Sequence, residues 1–268
     1  MAQKVPVGQS LPDRHERRTA AADAAFLAGH LQPGMSLLDC GCGPGTITIG
    51  LADWVAPGKV TGVDLDPKRV QQATATAESA GVANVAFQVG DVYRLPFPDA
   101  SFDAAFMTNV LMHLSDRQLA VREVMRVLKP GGVFGAREMN VSAHIELNAP
   151  PEWTKAVPLI EAWLRDRGID VYAGATLGAL VRDVGFADVE QSASLSYSDT
   201  PEAKRSGREE QARRLETVVG DYAVEQGLAD RAEVERMAKA IREWTHRDEF
   251  TATAHNEVVG WKPLDASQ

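Results

Sequence analysis

From about residue 35 to residue 139, short apolar runs alternate with longer amphipathic ones. SLLDCG (36–41) has the length of a strand, with Pro33-Gly34 behind it and a glycine cluster ahead. TITIGLADWV follows as a helix that Pro57-Gly58 stops. KVTGVDL (59–65) predicts a second strand. Asp66 then stands as N-cap with Pro67 at the first helical position, and PKRVQQATATAESAG closes on a C-terminal glycine. VAFQVGD (85–91) and FDAAFMTN (102–109) predict the third and fourth strands. Ser115, three residues before Gln118, reads as a capping box for the helix DRQLAVREVMRVLK, with Pro130-Gly131-Gly132 as its terminator and VFGAREM (133–139) as a fifth strand.

Strands that alternate with helices imply right-handed crossovers and a mostly parallel sheet covered on both faces, a doubly wound α/β architecture. Ligands of such sheets bind beyond the carboxyl ends of the strands, where strand order reverses. The positions to watch are therefore 40–45, 64–66, 91–93, 108–113 and 138–144.

After residue 140 the rhythm changes. PEWTKAVPLIEAWLRDRG places Trp153, Val157, Ile160 and Leu164 on one helical face. TLGALVRDVGF predicts a helix that returns to a strand near VEQSASLSYS. Residues 202–248 are dense in charges of both signs, with an apolar stripe at Val234, Met237, Ile241 and Trp244, and EFTATAHNEVVGWKP (249–263) predicts a final strand.

Composition narrows the function classes. The 268 residues carry a formal net charge of −9, which gives no global footprint for nucleic acid or an anionic membrane. The two cysteines, Cys40 and Cys42, are too few for a structural zinc site and too close to staple a loop, so no metal centre is expected. Residues 1–30 lack a clean signal-peptide core and nowhere do eighteen apolar residues run together, so a cytoplasmic protein without membrane insertion is expected.

The chemistry concentrates in LLDCGCGPGTIT. Gly41, Gly43 and Gly45 give G-x-G-x-G between a strand and a helix, where the absence of a Cβ lets backbone turn tightly and approach a ligand. A dinucleotide site would have G-x-G-x-x-G; here the third glycine falls one residue early, and Asp39 just upstream suits a cationic ligand better than a pyrophosphate.

LLDCGCGPGTIT, with VTGVDLDPKRV, QVGDVYRLPFPDASFDAAF and REVMRVLKPGGVF after it, resembles the class I S-adenosylmethionine-dependent methyltransferases, and among them the ubiquinone/menaquinone-biosynthesis branch. The resemblance covers roughly residues 34–139. It implies a Rossmann-like, seven-stranded, mostly parallel sheet with added helices as a cap over the active site. Read this way, the chain divides into an N-terminal helical segment (1–33), the S-adenosylmethionine-binding core (34–140), a helical cap insertion (141–175), a return helix and strand (176–200), a helical insertion (201–248), and a final strand and tail (249–268).

The resemblance also assigns roles. Asp39 and the backbone of Gly41, Cys42, Gly43 and Gly45 would hold the methionine end and adenosyl linkage of S-adenosylmethionine. Asp64 offers two acceptor oxygens to two ribose hydroxyls. Leu65 would pack on the adenine, and Asp91 and the Val92 amide would bond its edge; a simple turn residue is the other reading of Asp91. Asn109 would line the cofactor near its sulfonium. Arg18 is read either as reaching the cofactor carboxylate or as a solvated charge.

Methyl transfer is an in-line displacement that asks for alignment and exclusion of water, and for a base only where the acceptor must lose a proton. His113 is the best-placed base; packing beside the helix is its other reading. Glu138 and His144 are weaker candidates. Trp153, Trp163, Tyr172 and Trp244 either wall an apolar acceptor pocket or simply pack the added helices. The acceptor expected is a small molecule, and a homodimer is left open. Two alternatives share the motif: an enzyme that binds the cofactor for a non-methylating step, and a non-catalytic cofactor-binding module.

Overall fold

The computed structural model describes residues 18–197, 200–245 and 250–264. In chain order these form α1 (Ala20–Asp23), α2 (Ala25–Ala28), β1 (Leu37–Cys40), α3 (Thr46–Val55), β2 (Val60–Asp64), α4 (Pro67–Ala80), β3 (Val85–Val89) and β4 (Phe102–Thr108). A 3-10 turn at Leu111–His113 leads to α5 (Arg117–Val127) and β5 (Leu128–Leu147). Then come α6 (Pro151–Asp166), α7 (Leu177–Val184), β6 (Ala187–Tyr197), α8 (Pro201–Glu216), α9 (Val218–Glu225), α10 (Arg231–Arg242) and β7 (Phe250–Trp261). Of the N-terminal segment expected over 1–33, residues 1–17 lie outside the described residues.

The chain divides into two compact units. One takes the chain up to Glu138, Ala173–Ala193 and the chain from Asn256; the other takes Met139–Tyr172 and Ser194–His255.

The first unit is built on a seven-stranded sheet in the order β3-β2-β1-β4-β5-β7-β6. The pairs β1–β2, β1–β4, β2–β3 and β4–β5 are parallel, while the sheet as a whole is mixed. Strand order reverses between β1 and β4, which puts the switch-point crevice beyond Cys40 and Thr108. Both faces of the central strands are buried, and alternate residues separate into two cores. Leu38, Cys40, Ala105, Met107, Phe134 and Ala136 join a cluster with residues of α5 and α7. Leu37, Ala104, Phe106 and Val133 face the other way, against Leu27, Leu51 and Val55. Period-two alternation in a strand covered on both sides produces this division.

Two helix boundaries differ from the sequence reading. The N-cap of α5 is Asp116, whose carboxylate accepts the Leu119 amide at 2.9 Å; Ser115 instead brings its hydroxyl within 3.3 Å of the Tyr93 hydroxyl. An aspartate one residue later caps the first turn through the next amide along, so the serine is released for a tertiary contact. Pro130-Gly131-Gly132 does not separate helix from strand either. β5 begins at Leu128, because Lys129 precedes a proline and is pushed to extended backbone. Lys262 then bonds the Gly131 amide and the Gly132 carbonyl, each at 2.9 Å.

In the second unit, Val234, Met237, Ile241 and Trp244 are all buried, as their spacing predicts. On α6 the buried face is turned from the predicted one. Ala156 and Leu159 are buried, with Trp153, Ile160 and Trp163 packed beside them, whereas Val157 and Leu164 are only half-buried. The small Ala156 allows close helix approach, which a pattern of large residues alone misses.

Candidate active site at the carboxyl ends of β1, β2 and β4

The loop after β1 turns on three glycines in the left-handed region, with φ of 75° at Gly41, 54° at Gly43 and 80° at Gly45. Each has a different need. A methyl group added at Gly41 would overlap Val110 Cγ2, and one at Gly45 would come within 2.9 Å of Ala73 Cβ. At Gly43 nothing lies within 4 Å, so this backbone faces open space, as a cradle for a ligand requires. The loop hangs from β2 by the amides of Gly41 and Cys42, which both donate to the Val63 carbonyl at 2.7 and 2.9 Å.

Asp64 closes β2 and ties this loop down. Its Oδ2 accepts the Gly43 amide at 2.9 Å and its Oδ1 accepts the Asp66 amide at 3.0 Å. Asp66 caps α4 by accepting the Lys68 amide, which leaves Asp64 out of the capping role. Beside it Leu65 is 56% exposed, an apolar side chain standing open at a strand end.

Asp39 is buried on the α3 side, where Oδ2 accepts the Thr48 hydroxyl at 2.6 Å. Burial pushes its carboxyl up to about 6, against the lowering effects of Thr48 and Arg18. Asp39 is thus brought beneath the loop and engaged there by the helix. Cys42 is also buried, its thiol pushed well above the usual value by desolvation and by Asp39 and Asp64. Asp91 is exposed and accepts the Tyr93 amide at 2.9 Å, a turn-forming bond; Val92 beside it is half-buried.

β4 delivers Asn109 in a left-handed conformation, φ 52°, with its amide bonded to the Arg137 carbonyl at 2.9 Å. The 3-10 turn that follows carries His113, whose exposed imidazole makes no hydrogen bond among the described residues. Protein mass behind the ring holds its pKa below the ordinary histidine value by desolvation. Glu138, at the end of the buried part of β5, points inward. Its Oε1 accepts the amides of Val110 and Leu111 at 2.8 and 2.9 Å, and Oε2 that of Met112 at 3.3 Å. Burial pushes this carboxyl up to about 7, while the three amides and Arg18 act to lower it. So placed, Glu138 is a structural acceptor and not an open base; His144 lies in the second unit.

Sequence reading did not find the charge chain beside the crevice. Arg18 is neither solvated nor free: it donates to Asp23 Oδ1 at 3.1 Å and to the Thr108 hydroxyl at 2.8 Å. Asp23 also receives the buried Arg137 guanidinium at 3.0 Å, and Arg137 lies 3.5 Å from Glu257, which accepts the Ser192 hydroxyl. The arginines and acids come from distant parts of the chain, and no local spacing could have announced them.

Trp153, Trp163 and Trp244 belong to the second unit, where they pack with its helices. The Trp153 and Trp244 ring centroids are 6.5 Å apart, and the Arg167 guanidinium stacks 4.4 Å from the Trp163 ring. Tyr172 is exposed and accepts from Arg165. The indole N–H groups of Trp153, Trp163 and Trp244 are buried without a hydrogen-bond partner among the described residues. Among the described residues no group of three or more metal-ligating side chains is assembled, and no helix is long and apolar enough to cross a membrane.

Residues 38–136 match the methyltransferase domain family. That stretch carries a methyltransferase domain. It is 26% identical over 275 residues to a protein of Aspergillus luteorubrus named as a probable methyltransferase, ltbC, with 93% of each chain covered. An uncharacterized methyltransferase of Schizosaccharomyces pombe is 33% identical over 141 residues, covering 50% of this chain and 51% of that relative, about half its length. The 27-O-demethylrifamycin SV methyltransferase of Amycolatopsis mediterranei is 41% identical over 103 residues, 38% of each. Among solved structures, YcgJ of Bacillus subtilis superposes with a TM-score of 0.59 at 19% identity, covering 89% of this chain and 97% of that one. The [4+2]-cyclase SpnF superposes with a TM-score of 0.55 at 25% identity, covering 93% and 85%. The likeness holds at the level of the methyltransferase domain and does not single out the quinone branch.

Proposed function

We propose that the whole chain transfers a methyl group from S-adenosylmethionine to a small apolar or amphipathic acceptor. The carrying observation is the convergence of three left-handed glycines with Asp64, whose carboxylate holds the Gly43 amide at 2.9 Å beside an open backbone. The residues fit the cofactor: an open cradle at Gly43, a carboxylate for vicinal hydroxyls at Asp64 and an exposed apolar surface at Leu65 for adenine. When bound, the cofactor supplies a sulfonium-activated methyl group.

The chain's own residues then bind and orient. Asp64 receives the ribose hydroxyls, and Asp91 and the Val92 amide read the adenine edge. Asp39 contributes negative charge under the amides of Gly41, Cys42, Gly43 and Gly45. Asn109 lines the side from which the acceptor approaches. His113, whose pKa desolvation lowers, takes up the acceptor's proton where one must leave. The net charge of −9 supports an acceptor other than nucleic acid, and two free, buried thiols support a reducing, cytoplasmic setting.

A second reading, a non-methylating reaction on the same cofactor-bound scaffold, is favoured by the likeness to the cyclase SpnF. Incubation of the purified protein with S-adenosylmethionine and a panel of hydroxylated polyketides and sterols separates the two. Acceptor-dependent S-adenosylhomocysteine supports methyl transfer; acceptor conversion without it supports the second reading.

A further inference from the structure

We infer that Glu138 is a positioning residue for the cofactor loop, acting through the 110–112 turn and the side chain of Val110 on Gly41. The inference rests on the reading of the glycine loop as the cofactor site. Its first link is the carboxylate at the end of β5, which gathers three consecutive amides, those of Val110, Leu111 and Met112, at 2.8, 2.9 and 3.3 Å. These are the orphan donors that open a short 3-10 turn, and the ionised carboxylate, acceptor-only with two oxygens, satisfies them together.

The second link is steric. With the Val110 amide fixed, its isopropyl group stands where any Cβ at Gly41 would have to be. The glycine loop is therefore shaped from two sides: Asp64 holds the Gly43 amide from β2, and Val110 limits Gly41 from the turn after β4. Glu138 itself is 0% exposed, so it acts through this contact and not by touching a ligand in the crevice.

Gln replaces it only in part. With its single acceptor oxygen where Oε1 stands, a glutamine keeps the Val110 and Leu111 amides uncharged, and its amino group faces the Met112 amide donor to donor. An aspartate keeps both oxygens but is one methylene shorter, so it reaches only part of the set.

The test uses the full chain. In the ligand-free protein, hydrogen exchange is measured at the amides of residues 110–112 and 41–45 for wild type, Glu138→Gln, Glu138→Asp and Val110→Ala. S-adenosylmethionine affinity is measured by calorimetry alongside. Glu138→Gln is expected to speed exchange in both segments and weaken the cofactor at least tenfold, with Glu138→Asp restoring part of both. Val110→Ala is expected to speed exchange at 41–45 alone and weaken binding several-fold. If Glu138→Gln fails to fold, Val110→Ala decides. Wild-type exchange at 41–45 in whichever folded variant is measured overturns the inference. Wild type that shows no cofactor binding overturns the cofactor reading instead, and the exchange data still judge the positioning role.

Discussion

Asp64 Oδ2 accepts the Gly43 amide at 2.9 Å, so the residue that ends the second strand fixes the apex of the loop that follows the first. One carboxylate thus shapes the cradle and, in the proposed function, binds what the cradle holds. Asp64→Ala is expected to lose both roles. Hydrogen bonds to a charged group contribute about 1.5–3 kcal/mol each, so cofactor affinity should fall by at least tenfold while the domain stays folded. Calorimetry with S-adenosylmethionine checks this, and undiminished binding removes the ribose assignment.

Gly43 and Gly41 should fail differently. At Gly43 a methyl group meets nothing, but φ is 54°, so Gly43→Ala incurs only the left-handed backbone cost of about 1–2 kcal/mol. At Gly41 the same change adds an overlap with Val110. Thermal melts should therefore rank wild type above Gly43→Ala above Gly41→Ala, and a reversed order of the two variants contradicts the packing described.

Two buried carboxyls give the fold a pH dependence. Asp39 is raised from 3.8 to about 6 and Glu138 from 4.5 to about 7, in each case chiefly by burial. A raised carboxyl binds its proton more tightly folded than unfolded. Across this window the native state holds more protons, and stability falls as pH rises. Asp103, Glu123, Glu210 and Glu216 are lowered, so their contribution is lost only as pH falls below the ordinary carboxylate range. Urea midpoints should decline from pH 5 to pH 7.5 in wild type and decline less in Glu138→Gln. Equal slopes in the two proteins would exclude Glu138 as a source.

His113 is expected to matter only for acceptors that release a proton. For such an acceptor, His113→Ala should lower kcat by about 10²–10⁴ and flatten the acid limb of the rate profile. That limb should lie below the ordinary histidine range, because desolvation lowers the pKa. An unchanged rate across pH removes His113 from the reaction.

Cys40 and Cys42 should resist alkylation in the native protein. Both are buried, and burial together with Asp39 raises their thiol pKa values, so the reactive thiolate is scarce. Thiol titration with a disulfide reagent should detect neither until denaturant is added; rapid native labelling would show the loop to be open.

Much of the backbone around the glycine loop was legible in the chain. Asp66-Pro67 announced the start of α4, which freed Asp64 for another task, and Thr46–Val55 followed from its apolar spacing and the proline beyond it. Glu138 was legible only as a candidate base. Whether a strand-end carboxylate faces a crevice or three amides depends on a turn 26 to 28 residues earlier in the chain.

The same division runs through the molecule. Periodicity, capping and glycine placement are local matters, set by backbone sterics within a few residues, and the sequence alone determined the alternating strands, the G-x-G-x-G turn and the cap at Asp66. The tertiary structure decided where charge is buried and what it meets. Asp39 against Thr48, Arg137 between Asp23 and Glu257, and Val110 against Gly41 join separate elements, so only the packed fold assigns those partners.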